Sequence, residues 1–412
     1  MTDIFDDGLG ILGTHVTWEL VESSLQRGLK IGARFGANRS AQSIADGVGY
    51  SSIIALVDAD WIGDEKAIAE LPKRFIVKIA SLIQGKRVRD EKLLETPLDE
   101  GDEYLREWAK LIRGIHNTEC EVFDQINEAK NTEHLSLPKV WFTKKFSSPS
   151  DNVGFIIMEY LEEVKHYHLH DNLGIDQLKQ VIREITKIQA FFINEKIVYG
   201  EDLRQRSAQK FYAHLLPKEK FKMIFVGLKH LGVDRLTELA DGMLGKFDEI
   251  YDLNRLDALH HPEKSGMSGV LCHGDMWATN FLFDKKTDDL RFLIDFQMAH
   301  LGNPIDDLLR AFILGLSGEM RRKYEQELLE FYHSCLNSQL RDSESPFSIE
   351  QLKSEYRAYF PLAALCNTVM LGPVLMFSMN QIKDEAQKGE MMTKVFEKMI
   401  AIYEDALEIS GN

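Results

Sequence analysis

Two aspartates and one asparagine are closely spaced around two short apolar runs of the sequence. Asp275 and Asn280 lie in the stretch LCHGDMWATN at residues 271–280, and Asp295 ends the run FLID. One carboxylate can orient an acceptor hydroxyl, while an amide oxygen and a second carboxylate can hold Mg²⁺ against nucleotide phosphates. This order and spacing predict phosphoryl transfer, with Asp275 as the catalytic residue and Asn280 and Asp295 as the metal ligands.

The motif H-G-D-x-x-x-x-N followed by I-D-F resembles the aminoglycoside phosphotransferase and choline kinase superfamily, which shares the protein-kinase fold. The wider pattern of CHGDMW, Gln297 and GNPIDDL at residues 302–308 is similar to the ecdysteroid-kinase-like branch, also called CHK-kinase-like, and to its large nematode group of uncharacterised members. The resemblance covers the chain from about Gly47 to the C-terminal helices. It implies an α+β, two-lobed, protein-kinase-like fold that uses ATP and Mg²⁺.

Periodic apolar segments predict where the lobes divide. We expect an N-terminal lobe over residues 1–161, with a helical extension and a mostly antiparallel, nucleotide-binding sheet that carries a helix. Residues 162–412 are expected to form a helical C-terminal lobe with the catalytic loop and a substrate-binding insert at about 202–263. The N-terminal elements are a helix at 17–29, strands within 43–57 and at 74–80, a helix at 104–126 and a strand at 153–161.

A lysine in the middle of an apolar strand predicts one nucleotide contact. Alternation along residues 74–80 places Lys78 on one face with Ile76 and Ala80. Lys78 resembles the strand lysine of the superfamily, which contacts the nucleotide phosphates. The alternative is an edge-strand lysine that extends to solvent.

The partner of Lys78 is expected to be a carboxylate of the following helix, and two candidates are present. Glu119 is preferred by family resemblance and because Leu111, Ile115 and Glu119 follow in steps of four along one helix stripe. Glu121 is the alternative, and it would point to solvent if Glu119 faces the sheet.

Other nucleotide contacts are predicted from the glycine turn and from the segment between the lobes. Gly47 and Gly49 would let a turn pass close over the phosphates, with backbone N–H groups and Ser51 or Ser52 as donors, although a plain hairpin turn is an alternative interpretation. Glu159 and Leu161 belong to the expected hinge, where backbone groups rather than side chains would bind adenine.

Three residue groups near the predicted catalytic loop have structural interpretations. His273 is expected to brace the loop through hydrogen bonds rather than act as a base, and Asp307 resembles the aspartate that steadies the loop in the superfamily. His166, His168 and His170 alternate in the sequence. They favour a loop near the active-site mouth, in contact with substrate, over a metal site.

Composition narrows the classes of partner and compartment. The chain of 412 residues has a formal net charge of −16, which argues against a nucleic-acid partner and fits a cationic or neutral substrate. Four scattered cysteines without a C-x-x-C pair predict reduced thiols in a cytoplasmic protein.

No signal peptide is predicted. The apolar residues 361–377 are too short for a membrane span and predict a buried helix with a kink or break near Gly372. No protein partner is evident.

These features together predict an ATP- and Mg²⁺-dependent kinase that phosphorylates a hydroxyl of a small molecule. The family resemblance suggests a lipophilic, steroid-like or xenobiotic acceptor. One alternative is a choline- or aminoglycoside-like phosphotransferase that acts on a cationic substrate. A second alternative is an inactive pseudokinase that binds a nucleotide or ligand, although Lys78, Asp275, Asn280 and Asp295 are all present.

Overall fold

The computed structural model describes residues 2–44, 51–90, 102–204 and 218–411. The chain divides into two compact units, Met1–Thr132 with Leu137–Glu162 and Glu133–Ser136 with Glu163–Asn412. The helices of the first unit are α1 (Trp18–Leu29), α2 (Glu65–Ala69), α3 (Ile83–Asp90) and α4 (Asp102–Glu128). Its strands are β1 (Arg34–Phe35), β2 (Ser40–Ser43), β3 (Ser52–Asp58), β4 (Trp61–Ile62), β5 (Arg74–Ala80), β6 (Val140–Lys144) and β7 (Phe155–Glu159).

The second unit is mostly helical. Its helices are α5 (Ile175–Asn194), α6 (Glu201–Arg204), α7 (Lys218–Leu228), α8 (Asp234–Gly245), α9 (Phe247–Ile250), α10 (Leu253–Ala258), α11 (Ile305–Gly315), α12 (Gly318–Gln339), α13 (Ile349–Gln381) and α14 (Glu385–Gly411). Its strands are β8 (Val164–Lys165), β9 (Val270–Cys272), β10 (Phe281–Asp284), β11 (Leu290–Leu293) and β12 (His300–Gly302). The predicted α+β fold class, with an antiparallel sheet ahead of a helical region, is confirmed.

In the first unit, five strands of the described chain form an antiparallel sheet in the order β2-β3-β5-β7-β6. Its central strand, β5, is buried on both faces. Phe75, Val77 and Ile79 pack in one apolar core with residues of α1, and Ala80 packs in another with residues of α4. Lys78 alternates with Phe75, Val77 and Ile79 along β5, so it lies on the α4 face.

Helix α1 begins where the sequence predicts. The Thr17 hydroxyl accepts a hydrogen bond from the Leu20 N–H at 3.3 Å, which caps the first turn. The helix ends at Leu29, and the next residue, Lys30, caps it with a φ of 56° in the left-handed region. Val21 and Leu25 of α1 are fully buried in the core beneath the sheet.

A buried lysine joins three parts of the second unit. Lys398 Nζ of α14 donates to the carbonyl oxygens of Leu169, Asp171 and Leu314 at 3.0, 3.0 and 2.6 Å. Burial lowers the pKa of Lys398 to about 7. Three acceptors match the three donors of an ammonium group, so this contact fixes α14 against the end of α11.

The apolar segment at residues 361–377 lies within α13, Ile349–Gln381, which is a single helix rather than one that breaks at Gly372. In the part of the chain that the structure describes, no helix has both the length and the apolar character needed to traverse a bilayer.

Candidate active site

Lys78 and Glu119 form a buried ion pair in the first unit. Lys78 Nζ lies 2.7 Å from Glu119 Oε2, and the two side chains are 8% and 1% exposed. Strand β5 pairs with β3 on one side and β7 on the other, so the edge-strand interpretation of Lys78 is wrong. Because the α4 face of β5 carries Lys78, the helix stripe that packs on it supplies the carboxylate. The predicted pairing with Glu119 is confirmed, and the role of the pair in nucleotide binding stays a prediction.

The predicted exposure of Glu121 is wrong. Glu121 is buried, and its Oε1 accepts a hydrogen bond from Gln125 Nε2 at 3.2 Å. The physical reason is that α4 is covered on a further face by β6, which the sequence did not predict. Asn127 of α4 donates to the Val140 carbonyl of β6 at 3.1 Å, and Asp124 accepts from the Thr143 hydroxyl.

His116 precedes Glu119 by one turn of α4 and is buried. Its Nε2 lies 2.9 Å from the Lys144 carbonyl oxygen, so the neutral ring with a proton on Nε2 donates to that acceptor. Burial lowers the pKa of His116 to about 4, and the nearby charges of Lys78 and Lys144 act in the same direction. The ring is therefore neutral at physiological pH.

The other predicted nucleotide contacts of the first unit are only partly described. Gly47 and Gly49 lie outside the described residues. Ser51 lies just before β3, and its carbonyl oxygen accepts from the Ser81 N–H at 3.2 Å. Glu159 ends β7, where its N–H and its carboxylate both bind the backbone of Lys139. Leu161 is half-buried beyond it. Nucleotide binding by these five residues stays a prediction.

In the second unit, His273 braces the loop that follows β9. Its Nε2 donates to the Ile294 carbonyl oxygen at 2.9 Å, and its Nδ1 accepts from the Asp275 N–H at 3.3 Å. Since both ring nitrogens hold backbone groups, the structural interpretation of His273 is supported by its contacts.

Asp307 holds the same loop from α11. Its two carboxylate oxygens accept hydrogen bonds from the N–H groups of His273 and Gly274, both at 2.8 Å. Burial, together with the neighbouring Asp306, raises the pKa of Asp307 to about 7. The carboxylate therefore supports the loop backbone, as the resemblance implies.

The hairpin of β10 and β11 brings the predicted catalytic and metal residues together. Phe281 pairs with Leu293, and the Ile294 N–H donates to the Asn280 carbonyl oxygen at 3.1 Å. Asn280 therefore lies beside the residue that precedes Asp295. Asn280 Nδ2 also donates to Asp275, to the carbonyl oxygen at 2.9 Å and to Oδ2 at 3.1 Å.

Asp295 adopts a backbone conformation that non-glycine residues rarely use. Its φ is 69° and its ψ is 63°, in the left-handed region, directly before a short 3₁₀ turn. Such a conformation persists only when its surroundings determine it, and it occurs often at functional sites. The strain is therefore consistent with a carboxylate held in a defined direction.

Sequence reasoning missed Arg310, which belongs to this group. Arg310 Nη2 of α11 lies 2.7 Å from Asp275 Oδ1, and both side chains are largely buried. Its Nη1 lies 3.3 Å from Asn367 Oδ1 of α13. One signal could have found it: Arg310 is the one cation in the otherwise apolar run LLRAFILG of residues 308–315.

The rings of the three alternating histidines lie next to one another in the second unit, and those of His168 and His170 are stacked. The ring centroids of His166 and His168 are 5.1 Å apart, and those of His168 and His170 are 5.3 Å apart. Within the described ranges, no group of three or more His, Cys, Asp or Glu side chains has a geometry suited to a metal ion. Contact of these histidines with a substrate stays a prediction.

A family model matches almost the entire chain. It is DUF1679, described as "Uncharacterized oxidoreductase dhs-27", and it covers residues 4–411. The chain belongs to the DUF1679 family. The predicted kinship with a nematode group is confirmed at this level, and the narrower ecdysteroid-kinase-like branch stays a prediction.

Two curated relatives of this DUF1679 chain come from Caenorhabditis elegans. The uncharacterized kinase-like protein D1044.1 is 39% identical over 98 residues, which are 24% of this chain and 26% of that protein. The uncharacterized oxidoreductase dhs-27 is 23% identical over 310 residues, which are 71% of this chain and 35% of that protein. The match therefore spans about a quarter to a third of the length of these relatives.

The DUF1679 chain is also similar to solved structures of small-molecule kinases. A microcompartment-associated aminopropanol kinase shares 13% identity, with 94% of this chain and 99% of that chain covered and a TM-score of 0.46. A choline kinase from Cryptosporidium parvum shares 11% identity, with coverage of 93% and 94% and a TM-score of 0.48. A Plasmodium vivax ethanolamine kinase shares 14% identity, with coverage of 90% and 85% and a TM-score of 0.41.

Proposed function

We propose that this protein is an ATP- and Mg²⁺-dependent kinase that transfers a phosphoryl group to a hydroxyl of a small molecule. The observation that carries the proposal is the grouping of Asp275, Asn280 and Asp295 at one end of the β10–β11 hairpin. An orienting carboxylate beside hard oxygen ligands is what phosphoryl transfer requires of a protein.

The residues of the catalytic loop have separate roles in this proposal. Asp275 accepts a hydrogen bond from the acceptor hydroxyl and directs its oxygen towards the γ-phosphorus of ATP. As the new O–P bond forms, the bond from that phosphorus to the bridging oxygen breaks, ADP leaves, and Asp275 takes the proton of the hydroxyl. Asn280 holds Asp275 through Nδ2, and this contact leaves its amide oxygen as the group that can ligate a cation.

The donor set fits Mg²⁺. Asn280 supplies an amide oxygen and Asp295 a carboxylate, and Mg²⁺ prefers such hard oxygens and takes one or two carboxylates from a protein. Bound Mg²⁺ neutralises the charge that develops on the nucleotide phosphates.

Lys78, held by Glu119, contributes a second positive charge to those phosphates. We further assign phosphate contacts to Gly47, Gly49 and Ser51, and adenine contacts to the segment of Glu159 and Leu161.

Two observations bear on competing activities. Every strand pairing among the described residues is antiparallel, which is unlike the parallel sheet of a dinucleotide-binding domain, so we do not carry the oxidoreductase description over to this chain. A pseudokinase typically lacks one of the catalytic groups, whereas Lys78, Asp275, Asn280 and Asp295 are all present.

For the acceptor, we propose a lipophilic alcohol of steroid-like or xenobiotic type. Four leucines line a small cleft beside Gly274 in the second unit, which favours an apolar group next to the reacting hydroxyl. The formal net charge of −16 favours a second candidate, a cationic alcohol, through long-range attraction.

Thermal unfolding tests the nucleotide and metal part of the proposal. ATP with Mg²⁺ should raise the Tm of the wild type, because ligand that binds only the native state stabilises it. Asp295→Asn should lose most of the Mg²⁺-dependent part of this shift, while Asp289→Asn, an exposed carboxylate of the same hairpin, should keep it. An equal shift in Asp295→Asn and wild type would remove Asp295 from the metal site. ATP consumption across sterols, glycosides and amino alcohols then tests transfer itself.

A further inference from the structure

The cleft beside the catalytic loop lies within the second unit and has one cationic corner. Leucines of α10, α11 and α13 form its apolar wall, and Gly274 brings the catalytic loop to its edge. Arg310 lines it next to Asp275. An acceptor whose hydroxyl reaches Asp275 must therefore place its neighbouring atoms close to this guanidinium.

The carboxylates around this cleft already face cations or histidine. Asp275 Oδ1 is 2.7 Å from Arg310 Nη2. Asp306 Oδ2 is 3.6 Å from His300 Nε2, and the His300 ring stacks on that of His260 at 4.1 Å. A cationic acceptor would have to compete with these contacts for either carboxylate.

Two aromatic rings near the cleft each have an arginine over one face. The Arg310 guanidinium lies over the Trp277 ring, 6.0 Å from its centroid. The Arg255 guanidinium lies over the Tyr359 ring at 5.1 Å. Carboxylates and open aromatic faces are two features that recognise an ammonium ligand, and here an arginine lies against Asp275 and over one face of each of the two rings.

Arg310 is held in place by more than its ion pair. Asn367 Oδ1 lies 3.3 Å from its Nη1, and Asn367 Nδ2 in turn donates to the Ala363 carbonyl oxygen at 2.9 Å. A guanidinium keeps its charge at all physiological pH values. The wall of the cleft therefore carries one fixed positive charge, which offsets the charge of the proposed catalytic carboxylate, beside the carboxylate of Asp306.

We infer that Arg310 is a positioning and charge-selecting residue: it holds Asp275 for transfer and disfavours acceptors that carry a positive charge near the reacting hydroxyl. The inference rests on the proposed function and decides between its two acceptor classes. Repulsion of like charges inside a cleft of reduced dielectric lowers the affinity for the wrong ligand. It acts at the site and so opposes the long-range attraction of the acidic surface.

A matched pair of alcohols isolates the charge. Choline and 3,3-dimethylbutan-1-ol have the same shape and hydroxyl, but only choline carries a positive charge, two carbons from that hydroxyl. In the wild type, kcat/KM for the neutral alcohol should exceed that for choline by about tenfold or more, as expected for like charges several ångströms apart in a cleft. Saturation-transfer NMR on the ADP-loaded wild type should show binding of the neutral alcohol and weaker binding of choline.

Two variants separate charge from structure. In Arg310→Gln the ratio of kcat/KM for the neutral alcohol to that for choline should fall towards one. The kcat for the neutral alcohol should also fall, because Asp275 loses its partner. In Arg310→Lys the charge remains, so the preference should persist and kcat should recover in part. A general folding defect would change both substrates equally and leave their ratio unchanged.

Three results would each overturn the inference. The first is a wild-type preference for choline, and the second is a ratio of the two kcat/KM values that stays the same in Arg310→Gln. The third is failure of the wild type to bind either alcohol while it binds nucleotide. Failure of the proposed function looks different, because the wild type would then neither respond to ATP with Mg²⁺ nor transfer phosphate to any acceptor.

Discussion

Two of the buried ion pairs among the described residues have the same length and opposite organisation. Lys78–Glu119 in the first unit and Arg310–Asp275 in the second both join nitrogen and oxygen at 2.7 Å. In the first pair, a strand presents the cation and a helix presents the acid. In the second pair, a loop presents the acid and a helix presents the cation. In each pair the helix residue is the support, and the residue on the strand or loop is the one we assign to chemistry.

Burial differs between the two pairs. Glu119, the support of the first pair, is almost fully buried at 1% exposure. In the second pair Arg310 and Asp275 are 13% and 11% exposed, next to the cleft. Removal of one partner of a buried pair leaves an uncompensated charge, so both supports should matter beyond their own contacts.

The largest effect should follow removal of the acid of the second pair. Asp275→Asn keeps the size of the side chain but removes the charge that orients the hydroxyl, so turnover should fall about 100-fold or more. ATP with Mg²⁺ should still stabilise the variant against heat. Asp289→Asn, measured alongside, should turn over as the wild type does. Unchanged turnover in Asp275→Asn would remove this residue from the mechanism.

The second prediction concerns His116 of α4, the helix that carries Glu119, and the pH dependence of the free energy of unfolding. His116 has a pKa of about 4 in the folded state and an ordinary value near 6.5 when unfolded. Between these values the unfolded chain binds more protons, so stability is fully present above pH 6.5 and is lost as the pH falls towards 4. This loss should reach about 3 kcal/mol in total.

Urea unfolding at pH 7 and pH 4.5 measures this contribution. His116→Gln supplies the control, because an amide N–H can still donate to the Lys144 carbonyl oxygen but does not titrate. The variant should lose less stability between the two pH values than the wild type. Equal losses would show that His116 charges without penalty in the folded state.

The smallest of the three effects should follow substitution of Glu119, the helix residue of the first pair. Glu119→Gln should raise the KM for ATP about tenfold, because Lys78 loses the charge that directs it, a change of about 1.4 kcal/mol. Glu121→Gln is a matched control on the same helix, since Glu121 is also buried but bonds Gln125 instead. If Glu121→Gln impairs ATP use as much as Glu119→Gln does, the effect belongs to the helix and not to the pair.

The first pair was predictable from the sequence because the family resemblance implies a strand lysine with a helix carboxylate, and local periodicity favours one of the two candidates. Alternation along a strand gives the face of Lys78, and steps of four along a helix give the face of Glu119. The burial of Glu121 was not predictable in this way, because it depends on β6. This edge strand is half-exposed, and the sequence of residues 140–144 gives only a weak strand pattern.

The second pair shows where sequence reasoning ends. Asp275 lies in a recognisable motif, whereas Arg310 comes from a helix 35 residues later and bears no motif of its own. Its proximity to Asp275 depends on the packing of α11 under the catalytic loop, a tertiary contact that no local pattern encodes. The element types and the loop residues could therefore be predicted, and the contact that completes the loop could not.

Gly274 shows how excluded volume can set the position of a reactive group. Its φ is +76°, and a Cβ atom at this position would lie 2.0 Å from the Met298 carbonyl oxygen. Any side chain would therefore push the loop away from the backbone that precedes β12. A mutational scan of activity would rank Gly274 with Asp275, although Gly274 has no functional group. A position in this loop can therefore be intolerant to substitution because no side chain fits there, and not only because its residue takes part in the chemistry.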